Sequence, residues 1–213
     1  MTAPKRSALF ITLEGGEGGG KSTLSKGLQQ ALRARGEDGL FTREPGGAPG
    51  ADEIRALLVE GGAERWSPLE ETLLFMAARA NHVRETIAPA LKRGQWVICD
   101  RFTDSTRAYQ SAAGGVSADL VDRLSAIIAA PRPDLTLILD LDPSLGLKRA
   151  SARHHNEDRF EKKPSDFHQR VRAEFLAIAK AEPERCVVLD AAQSPEAVLA
   201  QALAAIDAKA ARA

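Results

Sequence analysis

Short, nearly unbroken apolar runs recur along the chain, separated by longer stretches in which apolar residues return every three or four positions. Five runs have the length and the aliphatic character of strands: Ala8–Leu13, Leu40–Thr42, Trp96–Asp100, Leu135–Leu141 and Cys186–Leu189. Between them the spacing predicts helices over Ser22–Arg35, Ala51–Glu60, Leu69–Arg93 with a bend near Pro89, Thr103–Ala112, Ala118–Ala130, Ser144–Arg153, Ser165–Ala181 and Pro195–Ala208. Strands alternating with helices imply βαβ units, hence a parallel sheet with helices on both faces. A run such as LTLILDL is apolar without alternation, as a strand covered on both sides must be. The expected architecture is α/β, a five-stranded parallel sheet flanked by helices, in one domain spanning residues 1–213.

One stretch departs from this rhythm. Arg153–Asp166 is polar and charged and lies between two helical patterns. It reads either as a solvated connection or as a mobile lid over a site, and composition alone does not choose between them.

The first strand runs into EGGEGGGKST, which contains Gly15-x-x-x-x-Gly20-Lys21-Ser22 with a helical pattern directly behind it. This is the complete P-loop spacing in its proper context. Glycines let backbone N–H groups turn inward around phosphates, and the following helix adds the positive end of its dipole. Lys21 would reach the β- and γ-phosphates, and the Ser22 hydroxyl would ligate Mg²⁺. The nucleotide-binding set is therefore Gly15, Gly16, Glu17, Gly18, Gly19, Gly20, Lys21, Ser22 and Thr23. Glu17 is out of place there, because a carboxylate among phosphates repels them. No Asn-Lys-x-Asp element follows, which argues against a GTPase, and the chain is short for a motor or transport ATPase. A small kinase acting on a small molecule fits the length.

Three further stretches carry chemistry. In WVICDRFTDSTRAYQ, Asp100 ends a strand at the carboxyl edge, where ligands bind in open parallel sheets, and a carboxylate there can hold Mg²⁺ directly or through water. Arg101, Ser105 and Tyr109 then recur every four residues, so a helix would present a guanidinium, a hydroxyl and an aromatic ring on one face. In FTREPGG, Arg43 and Glu44 precede a turn at Pro45. In LLFMAARANH, Phe75 and Arg79 share a helical face.

Composition narrows the class. The formal net charge is zero and the pI about 6.9, which leaves no electrostatic footprint for nucleic acid or an anionic membrane. No apolar run approaches the roughly 20 residues of a membrane span. The N-terminal run stops at Glu14 with no small-residue cleavage site, so it reads as a strand and not as a secretory signal. Cys99 and Cys186 both sit in apolar strand runs and read as buried thiols. A cytoplasmic enzyme is the expectation.

Taken together, the P-loop, TREPGG, LLFMAARANHV, CDRFTDSTRAYQ, the DRFE of the polar stretch and LDAAQSPEAV resemble the thymidylate kinase family, over nearly the whole chain. The resemblance implies a P-loop NTPase fold with a small lid at about residues 149–166. It implies transfer of the γ-phosphoryl group of ATP to dTMP with Mg²⁺, in a homodimer. It also implies roles. Phe75 would stack on thymine, Arg79 would bond the base or the acceptor phosphate, and Gln110 would position the base. Tyr109 would disfavour a ribose 2′-hydroxyl, Ser105 and Thr106 would add hydroxyls, and Arg43 and Arg101 would hold the acceptor phosphate, with Glu44 and Pro45 beside them. Ala192 and Gln193 would meet the adenine. Glu17 would face the acceptor nucleotide. Some relatives carry a loop arginine next to it, but here the neighbour is Gly18, so among the lid arginines Arg153 and Arg159 would neutralise the moving phosphoryl group, and Arg149 would bind ATP. His154 and His155 read as solvated lid residues. Another small P-loop kinase, or a nucleotide switch with little catalysis, are the alternatives.

Overall fold

The computed structural model describes residues 8–62, 64–152 and 159–212. Five strands, β1 (Phe10–Glu14), β2 (Gly39–Arg43), β3 (Trp96–Asp100), β4 (Leu135–Asp140) and β5 (Cys186–Asp190), form one sheet in the order β2-β3-β1-β4-β5, every neighbouring pair parallel. Each expected strand is present; β3 matches at both ends, and the others differ by one or two residues at one end or both. β1 is central, so the loop after it opens at the crevice where successive connections leave to opposite sides.

Side chains alternate across β1. Ile11 and Leu13 face helices α1 (Lys21–Ala34) and α9 (Pro195–Ala210), packing with Leu24, Leu28, Leu32, Val198, Ala202 and Ile206. Phe10 faces the other layer, against Val83, Ile87, Ala90 and Phe102. On that same side Ile138 of β4 meets Val171, Phe175 and Ile178 of α8 (Ser165–Ala181). Each such fully buried aliphatic side chain contributes about 1.5–3 kcal/mol, so both faces hold the sheet in place. Cys99 and Cys186 are free, buried thiols within β3 and β5.

The remaining helices are α2 (Pro49–Val59), α3 (Pro68–His82), α4 (Ala88–Lys92), α5 (Thr103–Thr106), α6 (Ala118–Ile127) and α7 (Pro143–Ser151). The expected long helix Leu69–Arg93 is present, but its irregularity falls just before Pro89: a π-helical turn over Val83–Ile87 joins α3 to α4. Pro89 has no N–H and its ring crowds the carbonyl four residues back, and the widened turn absorbs both defects. A second π-helical turn, Arg107–Ala112, continues α5. It brings Ala108, Tyr109 and Gln110, three successive residues, into the interior. α6 stops before the expected Ala130, because Ala129 takes a left-handed φ of 50° ahead of Pro131. Among the described residues no helix is long and apolar enough to cross a membrane.

Candidate active site

The P-loop lies between two cavities. One, of about 350 Å³, is lined by Glu17 to Ser22 and by Arg43, Glu44, Pro45, Phe75, Arg79, Asp100, Arg101, Ser105, Thr106, Tyr109 and Gln110. The other, of about 330 Å³, is lined by Gly18, Gly19, Gly20, Thr23, Arg149, Ala191 and Gln193 among others. Gly18 to Gly20 line both, so the loop is a shared wall. Of the expected nucleotide-binding set, Thr23, Arg149 and Gln193 line the second cavity, whereas Glu17, Lys21 and Ser22 line the first together with the expected acceptor residues. Ala192 is exposed beside the second cavity, its N–H donating to Asp190.

The loop can take this path only with glycine. Gly15 has a φ of 128°, and a Cβ there would stand 2.5 Å from the Leu139 carbonyl oxygen. Gly18 has a φ of 67°, and its Cβ would stand 1.9 Å from the carbonyl oxygen of Gly146 on α7. No side chain, arginine included, fits at residue 18 while α7 is in place. Lys21 is folded back over the loop, donating to the carbonyls of Gly15 (3.0 Å) and Gly16 (2.8 Å). Burial, together with the Arg101 charge, pushes its ammonium down to about 8 against the opposing charges of Asp100, Glu17 and Glu14.

Arg101 organises the larger cavity. It sits directly after β3 with a φ of 67°, a left-handed conformation that is strained for an arginine. From there its guanidinium donates to Gly15 O (3.1 Å), Ser105 Oγ (3.1 Å), Tyr109 Oη (3.0 Å) and Glu17 Oε1 (3.2 Å). The four-residue spacing of Arg101, Ser105 and Tyr109 therefore does bring them together. Glu17 also accepts from Tyr109 Oη at 2.7 Å, and its other oxygen lies 3.3 Å from His168 Nδ1 on α8. That approach falls short of a formed hydrogen bond, so Glu17 Oε2 is buried without one; the other ring nitrogen of His168, Nε2, is separately buried without a partner. Burial alone would raise the Glu17 carboxyl; His168, Arg101, Lys21 and Tyr109 more than offset it and hold it at about 2. The misplaced glutamate is thus an anion surrounded by donors, turned away from the second cavity.

Glu14, at the end of β1, is fully buried and accepts from the Phe102 N–H (2.8 Å) and the Ser105 hydroxyl (2.5 Å). It fixes the backbone beside Arg101. Glu44 is likewise buried, between Arg79 Nε (2.7 Å) and His82 Nδ1 (3.0 Å), and the Arg79 guanidinium stacks over Phe102. Arg79 lines the cavity but already has an anionic partner. Arg43 is exposed at the rim.

Two other acidic residues near the loop, Asp140 and Glu17, are already engaged. Asp140 is held by both arms of Arg172 (2.7 and 2.9 Å), and Glu17 by the set above. Asp100 Oδ1 is buried with no hydrogen-bond partner and lines the cavity next to exposed Ser22.

The lid arginines diverge. Arg149 reaches the second cavity and donates to Ala191 O at 3.1 Å. Arg153, His154 and His155 lie outside the described residues. Arg159, expected at the moving phosphoryl group, is fully buried instead, paired with Glu71 and donating to the Leu58 and Gly62 carbonyls. A desolvated guanidinium needs a carboxylate, and Glu71 on α3 supplies it. The larger cavity also includes Arg55, Val59, Phe102, Phe160 and Glu161, which sequence reasoning did not select. Only the DRFE string pointed toward Phe160 and Glu161. Arg55 donates to the Pro45 carbonyl at 2.7 Å and carried no signal beyond being a charge on an amphipathic helix.

A parallel sheet in this strand order, a glycine loop at its central strand and two cavities divided by that loop define a P-loop phosphotransferase of the small-kinase type. The thymidylate kinase family model matches residues 13–202, and the chain belongs to that family. It is 54% identical over 190 residues to a thymidylate kinase of Jannaschia sp. (strain CCS1), covering 89% of this chain and 91% of that relative. It is 53% identical over 192 residues to one from Caulobacter vibrioides, covering 90% and 92%. The crystal structure of thymidylate kinase from Ehrlichia chaffeensis superposes with a TM-score of 0.75 at 33% identity, over 94% of this chain and 99% of that one.

Proposed function

We propose that the protein transfers the γ-phosphoryl group of ATP to dTMP, giving ADP and dTDP, within a single domain. The observation that carries this reading is Arg101. One guanidinium contacts the donor loop at Gly15 and the opposite wall at Ser105 and Tyr109, so it stands where two phosphate groups would meet. ATP binds on the Arg149 and Gln193 side, with Thr23 and Ala192 beside it. The acceptor binds in the larger cavity, its base against Phe75 and Gln110 and its phosphate near Arg43 and Arg101.

In the reaction an acceptor phosphate oxygen attacks the γ-phosphorus, and the bond to the β–γ bridging oxygen breaks. ADP leaves with the electron pair. A dianionic acceptor has no proton to lose, so no general base is required. What the protein supplies is alignment and positive charge. Lys21 and Arg101 provide charge at the two phosphate groups, and Tyr109 and Glu17 hold Arg101 in its strained conformation. The lid arginine Arg153 falls outside the described residues and is retained as a proposed third cation, whereas the buried pair with Glu71 supports a structural role for Arg159.

Mg²⁺ bound with ATP would neutralise phosphate charge and favour the leaving group. Asp100 and Ser22 would hold it, and the unpartnered Asp100 Oδ1 supports that choice. Among the described residues no three His, Cys, Asp or Glu side chains converge on one point, which fits a cation held mainly by nucleotide and water.

We also propose a homodimer in the cytoplasm. Leu69 and Leu73, one turn apart on α3, are 49% and 48% exposed, and Leu57 on α2 is 39% exposed, a face that a second copy would cover. Buried free thiols in two strands suit a reducing compartment.

The test is an acceptor panel of dTMP, dUMP, CMP, AMP and thymidine with ATP–Mg²⁺, reading ADP release. dTMP should give the highest kcat/KM. Equal turnover of another acceptor overturns the substrate assignment, and no ADP with any acceptor revives the nucleotide switch. Sedimentation velocity reads the dimer, which Leu69→Lys with Leu73→Lys should dissociate.

A further inference from the structure

We infer that Glu71 determines base specificity by fixing the orientation of the Gln110 amide. The inference rests on reading the larger cavity as the acceptor pyrimidine site. Gln110 is 2% exposed and lines that cavity from the π-helical turn. Its Nε2 donates to Glu71 Oε1 at 2.8 Å. The other Glu71 oxygen accepts from Arg159, so both carboxylate oxygens are engaged inside the protein.

The chemistry of this chain is directional. A carboxylate paired with a guanidinium offers only acceptors. It therefore binds the amide through its NH₂ group and rejects the flipped form, in which oxygen would face oxygen. With the nitrogen held by Glu71, the amide atom left to read a ligand is the oxygen, an acceptor. Thymine and uracil present a donor, N3–H, on their central edge. Cytosine presents an acceptor, N3, flanked by an amino group. A fixed Gln110 oxygen thus accepts from thymine and repels cytosine. An unfixed glutamine would turn over and accommodate either base, so discrimination needs the carboxylate behind it. Arg159 belongs to the same arrangement: it orients Glu71 and continues directly into Phe160, whose ring lies 6.0 Å from that of Phe75 and 5.8 Å from that of Tyr109. Glu71 is accordingly a positioning residue acting through Gln110.

The experiment compares kcat/KM for dTMP, dUMP and dCMP in the wild-type protein, in Glu71→Gln, whose amide can meet Gln110 in either orientation, and in Glu71→Asp, whose carboxylate is withdrawn by one methylene. The dTMP-to-dCMP ratio should fall by about tenfold or more in both variants, while the dTMP-to-dUMP ratio stays constant, since both those bases carry N3–H. If dTMP and dCMP turnover fall together with their ratio unchanged, Glu71 is merely structural and the inference is overturned. Failure of the wild-type protein to phosphorylate dTMP would instead overturn the functional reading. If neither variant folds, ¹⁵N,¹³C-labelled wild-type protein decides. Nuclear Overhauser contacts from the Gln110 side-chain amide protons to the Glu71 γ-methylene should persist with dTMP bound, and their loss overturns the inference.

Discussion

Tyr109 donates a hydrogen bond to Glu17 at 2.7 Å, joining residues 92 positions apart in the chain. One belongs to the phosphate loop and the other to the π-helical turn behind Arg101. Their contact ties the phosphate loop to the opposite wall of the larger cavity, in one polar cluster that includes Arg101.

Glu17 therefore matters for alignment more than for ATP affinity. Glu17→Gln keeps the shape and removes the anion that Arg101 and Tyr109 share. kcat for dTMP phosphorylation should fall about 100-fold, as expected when a phosphate-holding group is displaced by an ångström. The ATP dissociation constant, measured by calorimetry without acceptor, should change little. Loss of ATP binding with an unchanged kcat would mean that the carboxylate serves the other cavity.

Asp100 ends β3 with one buried oxygen that no protein group satisfies. Asp100→Asn leaves the shape but weakens a cation held there. The Mg²⁺ concentration giving half-maximal activity should rise by roughly 10–100-fold, with dTMP affinity nearly constant. An unchanged Mg²⁺ dependence would remove Asp100 from the metal site.

Much of the architecture was readable because parallel strands buried on both faces leave an apolar signature that survives without partners. WVICD is such a run, and it ends at Asp100 in both sequence and structure. The cluster around Arg101 was readable for a different reason: Arg101, Ser105 and Tyr109 lie four residues apart, although Arg101 itself precedes the helix in a left-handed conformation. The two π-helical turns were not, since a widened turn changes the register without changing the kinds of residue in it. The buried pairing of Arg159 was not readable because it depends on Glu71, 88 positions away, and a charge in a polar stretch looks the same whether it reaches solvent, phosphate or a buried carboxylate. His168 went unselected for the same reason, since its contact with Glu17 joins α8 to the loop after β1.

Arg159 separates structure from catalysis in a measurable way. Both partners of the Arg159–Glu71 pair are buried, so Arg159→Ala leaves a carboxylate in the interior without its counter-charge. Urea unfolding should show a loss of about 3–5 kcal/mol. Any fall in kcat should accompany that loss. A variant of wild-type stability with greatly reduced kcat would return Arg159 to the phosphoryl group.

Glu14 sets the last expectation, a pH dependence of stability. Burial, reinforced by the nearby Asp104 charge, raises its carboxyl from 4.5 to about 8 despite hydrogen bonds from Ser105 and Phe102 and the charge of Arg101. The native protein thus binds this proton more tightly than the unfolded chain does. The resulting stabilisation is complete below pH 4.5 and is lost as pH rises toward 8, with a slope of at most about 1.4 kcal/mol per pH unit from this one group. Glutamine mimics the protonated side chain: its oxygen can still accept from Phe102 N–H, and its NH₂ can donate to Ser105 Oγ. Glu14→Gln should therefore match the wild-type protein near pH 5 and exceed it near pH 8, in unfolding free energies taken across that range. Parallel pH profiles for the two proteins would show that Glu14 does not carry a proton in the folded state.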